Sequence, residues 1–295
     1  MRTFVATIAV ATLALILMSA AAAQTPQLPP LNSPPTGEQL PGKFIWFDLA
    51  TPATANQQRF YRDVFGWSFD TPTQTDDGYT LIKNNGRAIA GMFRHEPPDG
   101  AQDGATWIVL MSVTDPDQAA SLVKTNGGSV ELAASDVAGR GRHALFRDPG
   151  GAIFGVLRSD SGDPFDEEVE LGGIIWVDLF ARDVEAMTKF YSALAPFEAV
   201  DREITEEVSR KILSAHGMPR AGMVEVDEEA NRSAWVPYVR VDDVAATLEK
   251  VVAFGGFAIV QPNEELFEGN VAVFVDPNGG VTGIVKYEYD EEPSP

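Results

Sequence analysis

The chain of 295 residues contains no cysteine and only three histidines, His95, His143 and His216. The first absence excludes disulfides, thiol nucleophiles, thiolate metal sites and a lipid-modified N-terminal cysteine. The second leaves little imidazole for metal binding or proton transfer. Cations are also scarce, with 22 Lys and Arg against 43 Asp and Glu, a formal charge of −21. Such a surface disfavours nucleic acid and anionic lipid as partners, and its plain consequence is solubility. Nucleophile motifs are missing too. No Gly-x-Ser-x-Gly stands in the chain, and Gly139-Arg140-Gly141-Arg142 lacks the lysine and the strand–loop–helix setting of a phosphate loop. It reads as a strand edge and turn before Phe146.

Long apolar runs are limited to Phe4–Met18, which follows Arg2 and precedes the small residues 19–23. This run is short for a membrane span and suits a signal peptide over residues 1–23, cleaved after Ala23, with a retained N-terminal anchor as the alternative. The expected location is therefore the periplasm or the exterior of a bacterium, with no membrane attachment after cleavage. Residues 24–42 hold six prolines and read as a semi-extended tether.

What the chain has is a copy of itself. Trp46-Phe47-Asp48-Leu49 returns as Trp176-Val177-Asp178-Leu179, and Phe60-Tyr61 as Phe190-Tyr191. Ala90-Gly91-Met92 returns as Ala221-Gly222-Met223, Trp107 as Trp235, and Gly127-Gly128 as Gly255-Gly256. Asp148-Pro149-Gly150-Gly151 returns as Asp276-Pro277-Asn278-Gly279. A near-constant offset of 128 to 131 residues over six landmarks means two copies of a whole domain. The copies are expected at 43–158 and 173–287, with an acidic linker at 159–172 and an acidic tail at 288–295.

Each copy divides again. A β-prone run at 44–50 precedes a helical pattern at 53–65 that stops at Gly66, and strands at 79–83 and 87–93 flank Asn84-Asn85-Gly86, a hairpin signal. The pattern restarts with a strand at 107–113, a helix at 116–126 ended by Gly127-Gly128, and strands at 129–132, 142–147 and 152–158. The second copy repeats the order, with helices at 183–195 and 243–254. The fold class is α+β: four βαβββ modules, each with one bare sheet face, paired so that each pair encloses a cup.

This organisation resembles the vicinal oxygen chelate superfamily, which includes glyoxalases, bleomycin-resistance proteins and extradiol dioxygenases. The resemblance rests on the Trp-x-Asp-Leu strands, the Phe-Tyr pairs in the helices, Phe65-Gly66-Trp67 and the Asp-Pro-x-Gly turns, and it spans 43–287. It implies metal ligands (His or Gln, His, Glu) on the first strands of paired modules and on the strand after each Asp-Pro-x-Gly turn. Transferred by position, those places hold Trp46, Ile108 and Gly155 in one copy. In the other they hold Trp176, Val236 and Gly283 or Ile284. None of these side chains can ligate a metal, so no metal or other cofactor is expected.

Strand alternation sorts the residues inside the cups. With Ile45, Phe47 and Leu49 towards the helix, Trp46 and Asp48 face the first cup. Trp176 and Asp178 face the second, joined from the facing strand by Tyr238 and Arg240. Aromatic walls with a few polar groups suit a small organic ligand. Metal-independent binding of a small, partly aromatic molecule is the expected function, with Trp46, Asp48, Trp176, Asp178, Tyr238 and Arg240 as binding residues. The alternatives are a lyase, isomerase, hydroxylase or dioxygenase of the superfamily with a displaced metal site or an aspartate acid/base, and a structural or interaction module whose cups are filled by Trp46 and Trp176. The oligomeric state stays open.

Overall fold

A computed structural model describes residues 28–71, 78–96, 104–203, 209–227 and 233–289. The expected leader, 1–23, and residues 290–295 of the acidic tail lie outside the described residues.

Four modules of identical element order make up the chain. The first holds β1 (Phe44–Thr51), α1 (Thr54–Phe65), β2 (Ser68–Asp70), β3 (Thr80–Asn84) and β4 (Arg87–Arg94). The second holds β5 (Thr106–Ser112), α2 (Pro116–Thr125), β6 (Ser129–Val137), β7 (Gly141–Arg147) and β8 (Ile153–Ser159). The second copy follows with β9 (Ile174–Ala181), α3 (Val184–Leu194), β10 (Glu198–Glu203), β11 (Ser209–Ala215) and β12 (Met218–Glu225). Its last module is β13 (Ala234–Arg240), α4 (Val244–Ala253), β14 (Phe257–Val260), β15 (Val271–Val275) and β16 (Val281–Val285).

Helix ends follow local chemistry. Asp115, Asp183 and Asp243 cap α2, α3 and α4, their carboxylates accepting backbone N–H bonds from the first turn. After α2 and α4, Gly127 and Gly255 take φ of 88° and 93°, left-handed values that favour glycine. The second glycine of each pair is needed for a different reason. A Cβ on Gly128 would lie 2.7 Å from the Arg147 carbonyl, and one on Gly256 2.9 Å from that of Val275. Both repeated Gly-Gly pairs thus set a helix tightly against its sheet.

Each copy forms one eight-stranded sheet, in the orders β2-β3-β4-β1-β5-β8-β7-β6 and β10-β11-β12-β9-β13-β16-β15-β14. The first strands of the paired modules lie antiparallel at the centre. Helices cover one face of each sheet, and the other face forms the cup. The helix-bearing faces of the two sheets pack together, α1 beside α4 and α2 beside α3. Each main core therefore draws on both copies. One joins Leu49, Phe60, Tyr61, Trp67 and Met92 to Val239, Leu248, Val251 and Phe274. The other joins Val123, Phe146 and Phe154 to Leu179, Phe190, Tyr191 and Trp235.

Two sequence expectations need correction. Ile45 packs with Trp46 on the cup side rather than on the helix, because the β1–β5 register shifts between Phe44 and Trp46. The proline-rich stretch is not a free tether over its described part. Asn32, Thr36 and Gln39 bond to the backbone or side chains of 159–163, and the Leu40 amide bonds to the buried Asp163. Leu28 and Leu31 close over the first cup, where the Leu28 amide donates to the Ala138 carbonyl at 3.0 Å.

Candidate functional site

The two cups begin alike. In the first, Trp46 Nε1 donates to Asp48 Oδ1 at 3.0 Å. In the second, Trp176 Nε1 donates to Asp178 Oδ1 at 2.8 Å. Both aspartates lie on the cup face of a central strand, where a carboxylate is costly to bury unless its lone pairs are occupied. The repeated Ala-Gly-Met motif serves this geometry. Gly91 and Gly222 are the register partners of Asp48 and Asp178 on the neighbouring strand. A Cβ at either glycine would lie 2.3 or 2.2 Å from the carboxylate oxygen, so the glycines make room for what binds each aspartate.

What binds them differs. In the first cup the Tyr79 hydroxyl donates to Asp48 Oδ1 at 2.6 Å, and Trp46 Nε1 also lies 3.0 Å from that hydroxyl. Arg140, only 4% exposed, lays its guanidinium 4.0 Å from the Trp46 ring centroid. Its Nε and Nη1 have no partner among the described residues. Burial raises the Asp48 pKa above the ordinary carboxylate range, a shift partly offset by the Tyr79 bond and the Arg140 charge. Gly139-Arg140-Gly141-Arg142 is thus more than a strand edge, because the turn carries a cation into the cup. With Leu28 and Leu31 above, this cup is closed by its own side chains.

In the second cup the place of Tyr79 is taken by Arg210. Its Nε donates to Asp178 Oδ1 at 2.9 Å, and its Nη2 bonds the same oxygen. The guanidinium lies 5.0 Å from the Trp176 ring centroid and 5.8 Å from that of Phe267. Tyr238 faces the pair, its hydroxyl pKa raised well above normal by burial and by the Asp178 charge. Phe267 and Glu268 hold φ of 51° and 55°, left-handed values unusual for non-glycine residues and a local strain beside the cup. This cup is open. A cavity of about 1090 Å³ runs from Trp176, Asp178, Arg210, Tyr238 and Phe267 past the linker to Leu31, Ile45 and Trp46 of the first domain, whose own cup is filled by buried side chains.

Of the residues singled out from sequence, the structure brings Trp46 to Asp48, and Trp176 and Tyr238 to Asp178. Arg240 does not face Asp178. It is the last residue of β13, and its Nε and Nη1 reach out to the carbonyls of Tyr287 and Val169 at 2.8 and 2.7 Å, beside the Tyr289 ring. Arg210 and Arg140 escaped sequence reading. The only signal was a cationic Ser-Arg-Lys start to β11 and a Gly-Arg-Gly turn.

The places transferred from the metal enzymes carry no donor set. In the second sheet Trp176, Tyr238 and Gly283 lie in one register row. A Cβ on Gly283 would lie 2.3 Å from the Tyr238 ring, so the position has no room for a ligating side chain. Gly155 is crowded by Leu110 in the same way, at 2.8 Å. The guanidinium of Arg210 also occupies the carboxylate that remains. Among the described residues no three His, Asp or Glu side chains gather as metal ligands. The residues present do not fit a divalent metal at the inherited place.

Two family models match, one per copy. Residues 43–156 match the Glyoxalase/Bleomycin resistance protein/Dioxygenase superfamily and residues 175–285 a glyoxalase-like domain. The chain belongs to this superfamily. It is similar to the anthracycline biosynthesis protein DauV of Streptomyces sp. strain C5, at 32% identity over 83% of this chain and 94% of that protein. It is also similar to the putative glyoxylase CFP32 of Mycobacterium bovis, at 29% identity over 86% of this chain and 98% of that protein. In fold it resembles the Mn(II)-bound glyoxalase of Novosphingobium aromaticivorans, with a TM-score of 0.56, 17% identity, and coverage of 84% and 83% of the two chains. The 2,3-dioxygenase LapB of Pseudomonas sp. KL28 gives a TM-score of 0.56 at 14% identity, over 87% of this chain and 97% of that one. At such identities the solved structures speak for the superfamily's fold alone.

Proposed function

We propose that the protein is an exported, metal-independent binder of a small, partly aromatic organic molecule, and that the second cup is its site. The observation that carries this reading is the difference between the twins. The first cup is closed by Tyr79, Arg140, Leu28 and Leu31. The second keeps Trp176, Tyr238 and Phe267 around an open cavity, with Asp178 and Arg210 as placed polar groups. Large apolar pockets with few, well-held polar groups suit drug-sized organic ligands. Similarity to a protein named for anthracycline biosynthesis supports a ligand with fused aromatic rings. One copy then serves as scaffold and the other as binding domain.

The enzymatic reading draws on the relative named a putative glyoxylase and on the raised pKa of Asp48. Asp48, however, lies in the closed cup, and Asp178 in the open one is held by Arg210 and Trp176. Binding is better supported. The test is a thermal-shift screen of EDTA-treated protein against polycyclic aromatic compounds. A rise in melting temperature that Trp176→Ala abolishes is expected, and a response that needs added metal would overturn the reading. Export rests on residues 1–23, and N-terminal sequencing of protein from its native host should find a chain beginning near Gln24. An uncleaved cytoplasmic chain would overturn that part.

A further inference from the structure

The open cup carries a charge arrangement that its twin lacks. Arg202 on β10 and Arg210 on β11 are register partners, directly opposite on one face of the sheet, and both line the cavity. Like charges so placed destabilise a ladder, and this chain has few cations to place, 22 against 43 acids. Arg210 spends Nε and Nη2 on Asp178, which leaves Nη1 without a partner among the described residues. Arg202 is exposed, and among the described residues no acidic side chain pairs with it. Glu268 lines the same mouth yet forms an ion pair with neither arginine. Asp178 Oδ1 already accepts from Trp176 and Arg210, so it is poorly available to a cationic ligand.

Resting on the second cup as the binding site, we infer that its ligand is an aromatic oxyanion, a carboxylate being the simplest form. The ring lies against Trp176, Tyr238 and Phe267, and the anionic group lies between Arg202 and the free edge of Arg210. An arginine presents planar N–H donors that match a carboxylate, and neutralising Arg202 relieves the repulsion across the ladder. Arg202 sets specificity, since it has no structural bond to serve among the described residues.

The full mature chain is titrated with 2-naphthoate and with its neutral counterpart 2-naphthamide, followed by calorimetry. The naphthoate is expected to bind at least tenfold tighter, with that preference falling as sodium chloride rises from 50 to 500 mM. Arg202→Gln should bring the two affinities within about twofold of each other, with a melting temperature in the absence of ligand no lower than that of the unaltered protein, because the repulsion across the ladder is removed. Equal affinities in the unaltered protein, with binding abolished by Trp176→Ala, would overturn the anion inference while retaining the cup as the site. Loss of both ligands in equal measure on Arg202→Gln would overturn it as well. Binding of neither compound to the unaltered protein would overturn both readings.

Discussion

The hydroxyl of Tyr61, on the first helix, donates to Asp276 Oδ2 at 3.0 Å, in the last turn of the other copy. Its twin runs the opposite way, from Tyr191 to Asp148 Oδ2 at 2.9 Å. Each aspartate also accepts backbone N–H bonds in its own Asp-Pro-x-Gly turn, Asp148 from Ala152 and Asp276 from Asn278 and Gly280. Trp235 donates to the Tyr191 hydroxyl, and Trp107 to Thr282 beside Tyr61. Three of the repeated landmarks, the Phe-Tyr pair, the lone tryptophan and the Asp-Pro turn, therefore form a reciprocal clasp between the copies. Tyr61→Phe and Tyr191→Phe should each destabilise the chain by about 1–3 kcal/mol, the cost of leaving a buried carboxylate short of a donor. Urea unfolding measures this. Because each core is shared, both variants should still unfold in one transition. Separate transitions for the two copies would contradict the shared cores.

The clasp also sets a pH dependence. Burial raises the pKa of Asp148 and Asp276 above the ordinary value of 3.8, although their hydrogen bonds oppose the shift. The folded chain then holds these protons more tightly than the unfolded chain does. Their contribution is fullest below the unfolded carboxylate pKa and is lost as pH rises through the folded one. Asp117 and Asp166, whose pKa values are lowered, act in the opposite sense. The comparison must therefore be made against Asp148→Asn/Asp276→Asn. The stability of the unaltered chain relative to this variant should grow as pH falls from 7 towards 4. A difference that shrinks on acidification would show the aspartates to be held ionised.

Alternation alone placed Trp46, Asp48, Trp176, Asp178 and Tyr238 in the cups, because a strand has two faces and the helix side was visibly apolar. It failed at Ile45, where a bulge adds one residue and turns the side chain over. It failed at Arg240 for a different reason, since a long side chain at a strand end is not confined to the face it starts from. Arg210 was illegible because its strand begins with three consecutive polar residues, Ser209-Arg210-Lys211, which hide the alternation, and only the pairing of β11 with β12 aims it over Gly222 at Asp178. The landmarks were legible as a repeat but not as a clasp. Tyr61 and Asp276 lie 215 residues apart, and nothing local announces their meeting.

Crowding at the inherited metal place leads to a third expectation. Zinc, manganese, nickel and iron(II), titrated calorimetrically into EDTA-treated protein, should bind no tighter than to surface carboxylates. Restoring the terminal carboxylate by Gly283→Glu should not create a site. It should instead destabilise the chain by about 1–3 kcal/mol through overpacking against Tyr238, whose ring lies 2.3 Å from where the Cβ must sit. A stoichiometric site of micromolar affinity in the unaltered protein would reverse the argument.

The twin aspartates provide the sharpest contrast. Asp178→Asn removes the negative partner of Arg210, a side chain only 14% exposed, and leaves that cation beside Trp176 uncompensated. A stability loss of about 1–3 kcal/mol is expected, along with most of the ligand-induced thermal shift. Asp48→Asn acts in the closed cup, on a carboxyl that burial already pushes towards its neutral form. An amide keeps an acceptor for Tyr79 and Trp46, so this variant should be milder and should retain the ligand response. Gly222→Ala separates geometry from charge. Its Cβ would fall 2.2 Å from both Arg210 Nε and Asp178 Oδ1, so the ion pair must open although both partners remain. If the pair orients the ligand, Gly222→Ala should lose the thermal shift as Asp178→Asn does, while Gly91→Ala in the other copy should not. Equal stability losses in both aspartate variants with the ligand response intact would instead make Asp178, like Asp48, part of the scaffold.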